Sequence, residues 1–416
     1  MNIKSNISRF KNSKDGKTLA SNMVYLSLLQ IASYLFPFLT MAYLARVLGV
    51  ERLGTIGFAA AIIMWIQTIA DWGFNYTATR EVAQNRDNPE KVSIIFSKVL
   101  WARCILALVS LAVLAILVAI IPQFRQDALI IFFTYLLVPG HILYPDWFFQ
   151  ALERMKYITI LGILFRFVFT ISVFVFIKEA DDYIYQPLLV SFGYLCSGLV
   201  AMYFILIRWK VKLRAIPLQD IWLTIKGSTN VFLNNLMPNL YNSFSVILLG
   251  TFCTKAHTGL YDNGKKFTTL SNTAMSVISR VFFPFLSRRI DKHKFYSIFT
   301  LSIAAVVSLV LVISAPWLVP WYFGAEFAGA TPVLQITAPA IFFVAASEVY
   351  GTNYLIVNRY EKTMRNITFA SSLLGFAISF PLVLNFQHIG AAIVFSTSSF
   401  ASALLSYIYY IKIKTK

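Results

Sequence analysis

The sequence predicts an all-α polytopic membrane protein: twelve transmembrane helices in two six-helix bundles, with pseudo-two-fold symmetry about the membrane normal. Three observations predict it. Apolar residues make up 58 % of the 416 and charged residues 13 %, against about 45–50 % and 25 % in soluble domains. Apolar runs of the ~20 residues that a helix needs to cross the hydrocarbon recur along the chain. The 36 Lys and Arg, against 18 Asp and Glu, concentrate in alternate connections between those runs, as orientation in a bilayer requires.

Residues 1–18 form a basic tail. The apolar run after it exceeds the ~7–15 residues of a signal core, so an uncleaved cytoplasmic tail is expected. Span one covers 19–45 and contains Pro37. Span two, 54–80, carries Thr68, Asp71, Asn75 and Thr79 along one face. Span three, 98–121, holds Arg103 close enough to Lys98 to snorkel to the inner surface. Span four, 127–150, includes His141 and Asp146, the histidine read as packed rather than as a proton relay. Span five, 157–177, has Arg166 at mid-depth. Span six is 184–207.

A hydrophilic connection, 208–220, then divides an N-terminal bundle, 19–207, from a C-terminal bundle, 221–411. Span seven, 221–251, holds Asn230, Asn234, Asn235, Asn239 and Asn242 with Pro238 among them. Span eight is 257–286 and span nine 295–318. Span ten, 329–357, includes Pro339 and Glu348. Spans eleven and twelve are 364–385 and 389–411, followed by a basic tail, 412–416. The prolines in spans one, seven and ten predict kinks. The runs are too long and too rich in Leu, Ile and Ala for barrel strands, which alternate over about 10 residues.

With both termini in the cytoplasm, the inner segments hold 26 of the basic residues and the outer loops five. The net charge of +18 is therefore an orientation signal and an attraction to anionic inner-leaflet lipid. It does not imply nucleic acid, because the chain lacks the polar length that tracks a phosphate backbone. Cys104, Cys196 and Cys253 lie far apart in apolar runs, so neither a disulfide framework nor a metal site is expected. No nucleotide-binding glycine loop, catalytic triad or cofactor motif is present, and the short outer loops leave a polymerase or ligase no obvious place for its chemistry.

The informative charges are those inside the spans, each costing roughly 2.5–3.5 kcal/mol to insert. In span eight Asp262, Lys266, Thr269, Thr273, Ser276 and Arg280 recur at helical spacing and form one polar stripe. That stripe suits a water-filled cavity, although Asp262 and Lys266 alone could neutralise each other between packed helices. Arg166 reads either as an anion ligand or as the buried partner of Asp71 or Glu348. The substrate-binding candidates are Arg166, Lys265, Lys266, Arg280, Asn230, Asn234 and Asn235. Asp71, Asp146, Asp262 and Glu348 are candidate coupling-ion sites or counter-charges. The asparagines fit either a polar ligand or interhelical hydrogen bonds.

The two halves open alike, with Ser21-Asn22-Met23-Val24-Tyr25-Leu26 against Thr229-Asn230-Val231-Phe232-Leu233, and Gly54-Thr55-Ile56 against Gly259-Leu260-Tyr261. Two like halves of the same orientation predict a parallel repeat with a central cavity, expected between spans one, two, seven and eight.

Several short motifs carry a family resemblance. They are Leu44-Ala45-Arg46-Val47-Leu48-Gly49-Val50-Glu51-Arg52-Leu53-Gly54, Asp71-Trp72-Gly73-Phe74 with Arg80-Glu81, and Pro145-Asp146-Trp147-Phe148-Phe149-Gln150-Ala151-Leu152-Glu153. Gly259-Leu260-Tyr261, Phe283-Pro284 and Tyr322-Phe323-Gly324 follow in order. Together they resemble the O-antigen repeat-unit flippases, polysaccharide transporters of the multidrug/oligosaccharidyl-lipid/polysaccharide exporter superfamily.

The resemblance implies movement of an undecaprenyl-diphosphate-linked oligosaccharide from the cytoplasmic to the periplasmic leaflet of a bacterial inner membrane by alternating access. It implies membrane lipid, and a polymerase and chain-length regulator of the same pathway, as partners. The chain stops after span twelve, which disfavours the peptidoglycan-precursor branch with its two extra helices. A drug or small-cation antiporter of the same superfamily, and a membrane oligosaccharide polymerase or ligase, are the alternatives.

Overall fold

A computed structural model describes residues 14–415, and no β-strand occurs among them. Residues 1–13 of the expected N-terminal tail, and Lys416 of the C-terminal one, lie outside the described residues.

Helix α1 (Lys14–Asp71) has 58 residues, about 87 Å at 1.5 Å per residue. That is too long for a single crossing. Its backbone breaks at Gly49, which takes φ 71° and ψ 176°, a conformation glycine reaches without a Cβ clash. The two arms correspond to spans one and two. A second break at Trp72 and Gly73 leads into α2 (Phe74–Gln84). Asn88 caps α3 (Pro89–Ile120) by accepting from the Lys91 N–H, with Pro89 at the first helical position.

The fourth segment is broken into α4 (Ala128–Tyr135), α5 (Leu137–Leu143) and α6 (Asp146–Ala151). Pro139 and Pro145 remove N–H donors four residues beyond Tyr135 and His141, so the helical ladder cannot run through. Helices α7 (Met155–Phe176) and α8 (Tyr185–Tyr203) complete the first half of the chain. Between them the Asp182 carboxylate accepts from the Lys178 and Glu179 N–H groups at 2.9 and 3.0 Å. Those bonds hold its pKa below the usual carboxylate range.

In the second half Pro238 sits in a turn between α9 (Leu218–Leu236) and α10 (Asn242–Phe252). Then come α11 (Lys255–Gly264), α12 (Lys266–Leu286), α13 (His293–Phe323), α14 (Thr331–Thr337) and α15 (Pro339–Ser347). A π-helical stretch, Glu348–Ile356, continues α15. The last helix, α16 (Glu361–Lys414), has 54 residues and breaks at Gln387. Of the three expected proline kinks, Pro238 and Pro339 fall at breaks, whereas Pro37 lies within the unbroken first arm of α1.

Eight helical segments among the described residues are long and apolar enough to cross a membrane, against the twelve stretches read from sequence. Two of the eight, Val24–Gln84 and Glu361–Lys414, contain the breaks at Gly49 and Gln387 and each merges two of the sequence's stretches. The stretches that fall short are α9–α10 and α11–α12. Each is divided, at Pro238 and at Lys265, and each carries polar residues, the asparagines and the stripe, that lower its hydropathy.

Connections expected on the same side meet one another. At one end Lys98 pairs with Asp220 at 3.1 Å, Arg86 with Glu153 at 3.4 Å and Arg214 with Glu90 at 3.0 Å. At the other, Arg52 pairs with Asp181 at 2.7 Å and Lys255 with Asp127 at 2.5 Å. Each of these pairs stays within one predicted face, as an up-and-down path demands. We call the end that holds the predicted inner loops the basic end and the other the outer end.

The outer end is shut by backbone contact. A Cβ on Gly54 would lie 1.8 Å from the Lys255 carbonyl oxygen, and one on Gly259 would lie 2.0 Å from that of Val50. Helices α1 and α11 therefore cross with nothing between them. Beneath the crossing, Leu44, Leu48, Val173 and Ile177 from the first half pack with Val319, Phe323 and Phe327 from the second. At the basic end the halves touch through Trp72 and Phe232, whose rings stack at 3.9 Å, and through a Thr77–Ser228 hydroxyl bond of 2.8 Å.

The connection between the halves is strapped to α3. Ser93, Ser97 and Trp101 recur every fourth residue and so share one helical face. Ser93 Oγ and Ser97 Oγ accept from the Lys212 and Arg214 N–H groups, and Trp101 Nε1 donates to the Arg214 carbonyl at 3.0 Å.

Candidate functional site

A cavity of about 420 Å³ lies inside the molecule. The first arm of α1 supplies Ser33, Pro37 and Thr40; α4 supplies Thr134, α7 Arg166, α8 Gln186 and Tyr194, and α11 and α12 supply Asp262, Asn263 and Lys266. The expected lining of spans one, two, seven and eight is thus met by one, two and eight. Span seven packs instead on span two through the Trp72–Phe232 stack, and spans four, five and six take its place.

Arg166 sits where this cavity meets a smaller one of about 240 Å³ that reaches His141, Tyr144 and Asp146. Its Nη1 donates to the Gly162 carbonyl at 2.9 Å. It forms no ion pair among the described residues, so neither Asp71 nor Glu348 neutralises it. A guanidinium carries five donors, which leaves Arg166 donors for a ligand. Lys266 pairs with Asp262 at 3.0 Å, and both line the same cavity. Of the six-residue stripe, only this self-neutralising pair lines the cavity. With Arg166 and Lys266 against Asp262, the cavity carries one net positive charge.

Lys266 also lines a second, apolar groove of about 150 Å³ between the first arm of α1 and α12. Tyr34, Phe38, Phe267, Leu270 and Tyr322 line it with Thr269 and Thr273 of the stripe. Cavity and groove share Ser33, Pro37, Met41 and Lys266.

Of the other candidates, Asp146 lines the smaller cavity and the rest lie elsewhere. Lys265 turns away, its Nζ 3.3 Å from Tyr261 OH and 3.5 Å from Asn242 Oδ1, over the rings of Tyr261 and Phe395. Adjacent helical residues point about 100° apart, so Lys265 and Lys266 cannot share one face. Arg280 is exposed on α12, and Asn230, Asn234 and Asn235 are exposed on α9; none of the four lines these cavities. Asn239 donates to Thr68 Oγ1 at 2.9 Å, an interhelical bond. Asp146 sits at the start of α6, accepting from the Trp147 N–H at 2.8 Å. His141 packs on Tyr194 with ring centroids 4.3 Å apart. Glu348 accepts from Ser276 Oγ at 2.5 Å.

Arg103 departs from expectation. It does not snorkel but is buried, 3 % exposed, and pairs with Asp71. Its distance from Lys98 in sequence said nothing of Asp71, which reaches it from the neighbouring helix. Removing one member of a buried pair strands the other charge, at about 3–5 kcal/mol. Asp71→Leu is therefore expected to lower the unfolding temperature of the purified protein sharply, and adding Arg103→Met is expected to recover most of the loss. A double variant no more stable than the single one would refute the pairing.

Tyr194, Gln186, Thr134 and Asn263 line the cavity and were not singled out from the sequence. Asn263 falls off the span-eight stripe and the other three belong to no stripe, so no periodicity marks them. Only their convergence from α4, α8 and α11 on Arg166 and Lys266 reveals them.

Residues 19–290 match the model of a family described as "Polysaccharide biosynthesis protein". The chain belongs to that family. Two of its curated relatives bear the name "Putative O-antigen transporter". One, from Escherichia coli (strain K12), is 28 % identical over 384 residues, covering 90 % of this chain and 92 % of the relative. The other, from Shigella dysenteriae, is 24 % identical over 370 residues, covering 88 % and 93 %. Among solved structures, "Lipid II flippase MurJ, inward closed conformation" superposes with a TM-score of 0.76 at 12 % identity, covering 93 % of this chain and 90 % of that one. An inward-facing MATE family multidrug transporter of the MOP superfamily superposes with a TM-score of 0.67 at 14 % identity, covering 95 % and 98 %. This member of the polysaccharide biosynthesis protein family thus has the fold of the MOP superfamily transporters.

Proposed function

We propose that this protein is a flippase that carries an undecaprenyl-diphosphate-linked oligosaccharide, an O-antigen repeat unit, from the cytoplasmic to the periplasmic leaflet of the bacterial inner membrane. The observation that carries the reading is the junction at Lys266, where a cavity that carries one net positive charge meets an apolar groove. A substrate with an anionic head and a long lipid tail suits that pairing. Arg166 and Lys266 would hold the diphosphate, since charge-assisted bonds to phosphate oxygens are strong. Thr40, Thr134, Asn263, Gln186 and Tyr194 offer donors and acceptors to sugar hydroxyls. The groove between α1 and α12 would admit the tail. A drug or small-cation antiporter would need an acidic cavity, and this one is basic.

In this reading the bundles 19–207 and 221–411 rock against each other. The crossing of α1 and α11 is the outer gate, which opens to release the head group. Both termini face the cytoplasm, in keeping with the 26 basic residues on that side. The relatives' names support an O-antigen pathway, in which a polymerase and chain-length regulator would receive the product.

Deletion of the protein tests this. Lipid-linked oligosaccharide is expected to accumulate in the inner leaflet, detected by a membrane-impermeant probe that reaches sugars on one side only. An unchanged leaflet distribution would refute the flippase reading. Surface display of single repeat units in the deletion strain would point to a polymerase instead.

A further inference from the structure

We propose that the smaller cavity beside Arg166 is a subsite for one pyranose, the sugar joined directly to the diphosphate, and that Asp146, His141, Tyr194 and Ser197 recognise it. This subsite rests on the flippase reading and deepens it: the first sugar has its own place, apart from the rest of the oligosaccharide.

The cavity, of about 240 Å³, is walled by the first half of the chain alone. Helix α5 supplies His141, α6 supplies Asp146, and α8 supplies Tyr194 and Ser197. The side chains of His141, Tyr194 and Ser197 make no hydrogen bond among the described residues, and Asp146 forms no ion pair there. Its Oδ1 accepts from the Trp147 N–H at 2.8 Å, and no side chain among the described residues donates to it. Tyr144, by contrast, spends its hydroxyl on the Ile158 carbonyl at 2.8 Å. Polar groups inside a protein are normally paired. Four side chains with bonding capacity to spare, converging from three helices on one cavity, call for a polar ligand.

A pyranose matches the set. Sugar hydroxyls both donate and accept, as do those of Ser197 and Tyr194, while a carboxylate accepts and a neutral imidazole offers one of each. His141 lies against Tyr194 with ring centroids 4.3 Å apart, and Phe165 packs on the same tyrosine at 4.7 Å. All three line the cavity, so the C–H face of a sugar has an aromatic wall to meet. A lipid tail would leave the four polar side chains unpaired.

Placement identifies which sugar. Lys266 lines both the apolar groove and the 420 Å³ cavity, and Arg166 lines both that cavity and the smaller one. Groove, Lys266, Arg166 and smaller cavity thus follow one another. In the substrate, tail, diphosphate and first sugar follow one another in the same order. The remaining sugars keep to the larger cavity.

The test titrates the full-length protein in detergent with defined lipids, followed by tryptophan fluorescence. The probes are undecaprenyl diphosphate with no sugar, and the same lipid bearing one glucose, galactose, N-acetylglucosamine or N-acetylgalactosamine. At least one sugar-bearing lipid is expected to bind about 10-fold or more tighter than the bare diphosphate, the equivalent of one charge-assisted bond. Asp146→Ala should bring that ratio close to one. The ratio isolates the sugar, because a change of charge near Arg166 acts on both lipids alike. Should Asp146→Ala fail to fold, Ser197→Leu fills the cavity from α8 and is expected to have the same effect on the ratio. Equal affinity for the bare lipid and all four sugar-bearing ones, or a ratio that survives both Asp146→Ala and Ser197→Leu, would overturn the subsite and leave the flippase reading standing. Binding of none of the five lipids would overturn the flippase reading, and the subsite with it.

Discussion

Arg166→Ala is expected to slow flipping of the lipid-linked oligosaccharide by about 10- to 100-fold, the equivalent of one charge-assisted bond to phosphate at about 1.5–3 kcal/mol. The magnitude follows from the position. Arg166 stands at mid-depth, bonded to the Gly162 carbonyl and paired with no carboxylate, so its charge is available to the substrate. Lys266→Ala should cost less, because Lys266 already shares its charge with Asp262 at 3.0 Å and is partly exposed. Arg166→Lys should keep part of the rate, since an ammonium preserves the charge but not the two-pronged geometry. Initial rates in proteoliposomes loaded with a labelled lipid-linked oligosaccharide measure all three. An Arg166→Ala rate equal to that of the unaltered protein would remove Arg166 from the head-group site.

Gly259→Val is expected to hold the outer end open and to stop transport. A Cβ at position 259 would lie 2.0 Å from the Val50 carbonyl oxygen and 3.2 Å from the Gly54 nitrogen. Both are backbone atoms, so no flexible side chain can give way and α1 and α11 must separate. Overpacking costs about 1–3 kcal/mol and occasionally more. A backbone clash of this kind belongs at the upper end, and about 3 kcal/mol moves a two-state equilibrium more than 100-fold.

The shift is readable by labelling. In a protein whose three native cysteines are replaced, Ala60→Cys places a thiol in the cavity lining. A membrane-impermeant thiol reagent added outside should reach it faster when Gly259→Val is present. Gly227→Val serves as the control, because its Cβ would meet nothing within 4 Å. Equal labelling in Gly259→Val and its parent would show that the crossing does not gate the cavity.

Both expectations rest on features legible to different degrees. Arg166 and Lys266 stand out in sequence because a charge inside an apolar run is costly, and that cost marks them whatever surrounds them. Their environment is not legible in the same way. Along the chain Arg103 lies near Lys98 and reads as snorkelling, while Arg166 stands alone at mid-span. One is buried against Asp71, and the other opens on two cavities. Lys265 and Lys266 differ by a single position, yet the 100° helical step sends one among aromatic rings and the other to the cavity that holds Arg166. The five asparagines of span seven fit either a ligand or interhelical bonds. Asn239 makes such an interhelical bond, to Thr68, while Asn230, Asn234 and Asn235 are exposed and line none of the cavities described.

By itself the sequence determined that the chain is helical, that it belongs in a bilayer, and how its basic and acidic connections sort to two faces. Each of these follows from hydrophobic length and charge placement, which are local quantities summed along the chain. It also determined which few residues bear a charge where charge is expensive. Only the tertiary structure decided which charges pair, which face a cavity, and that Lys266 lies where a cavity of net positive charge meets an apolar groove. Those outcomes depend on helices brought together from distant parts of the chain. The rotation of one helix against another decides them, and no local periodicity encodes it.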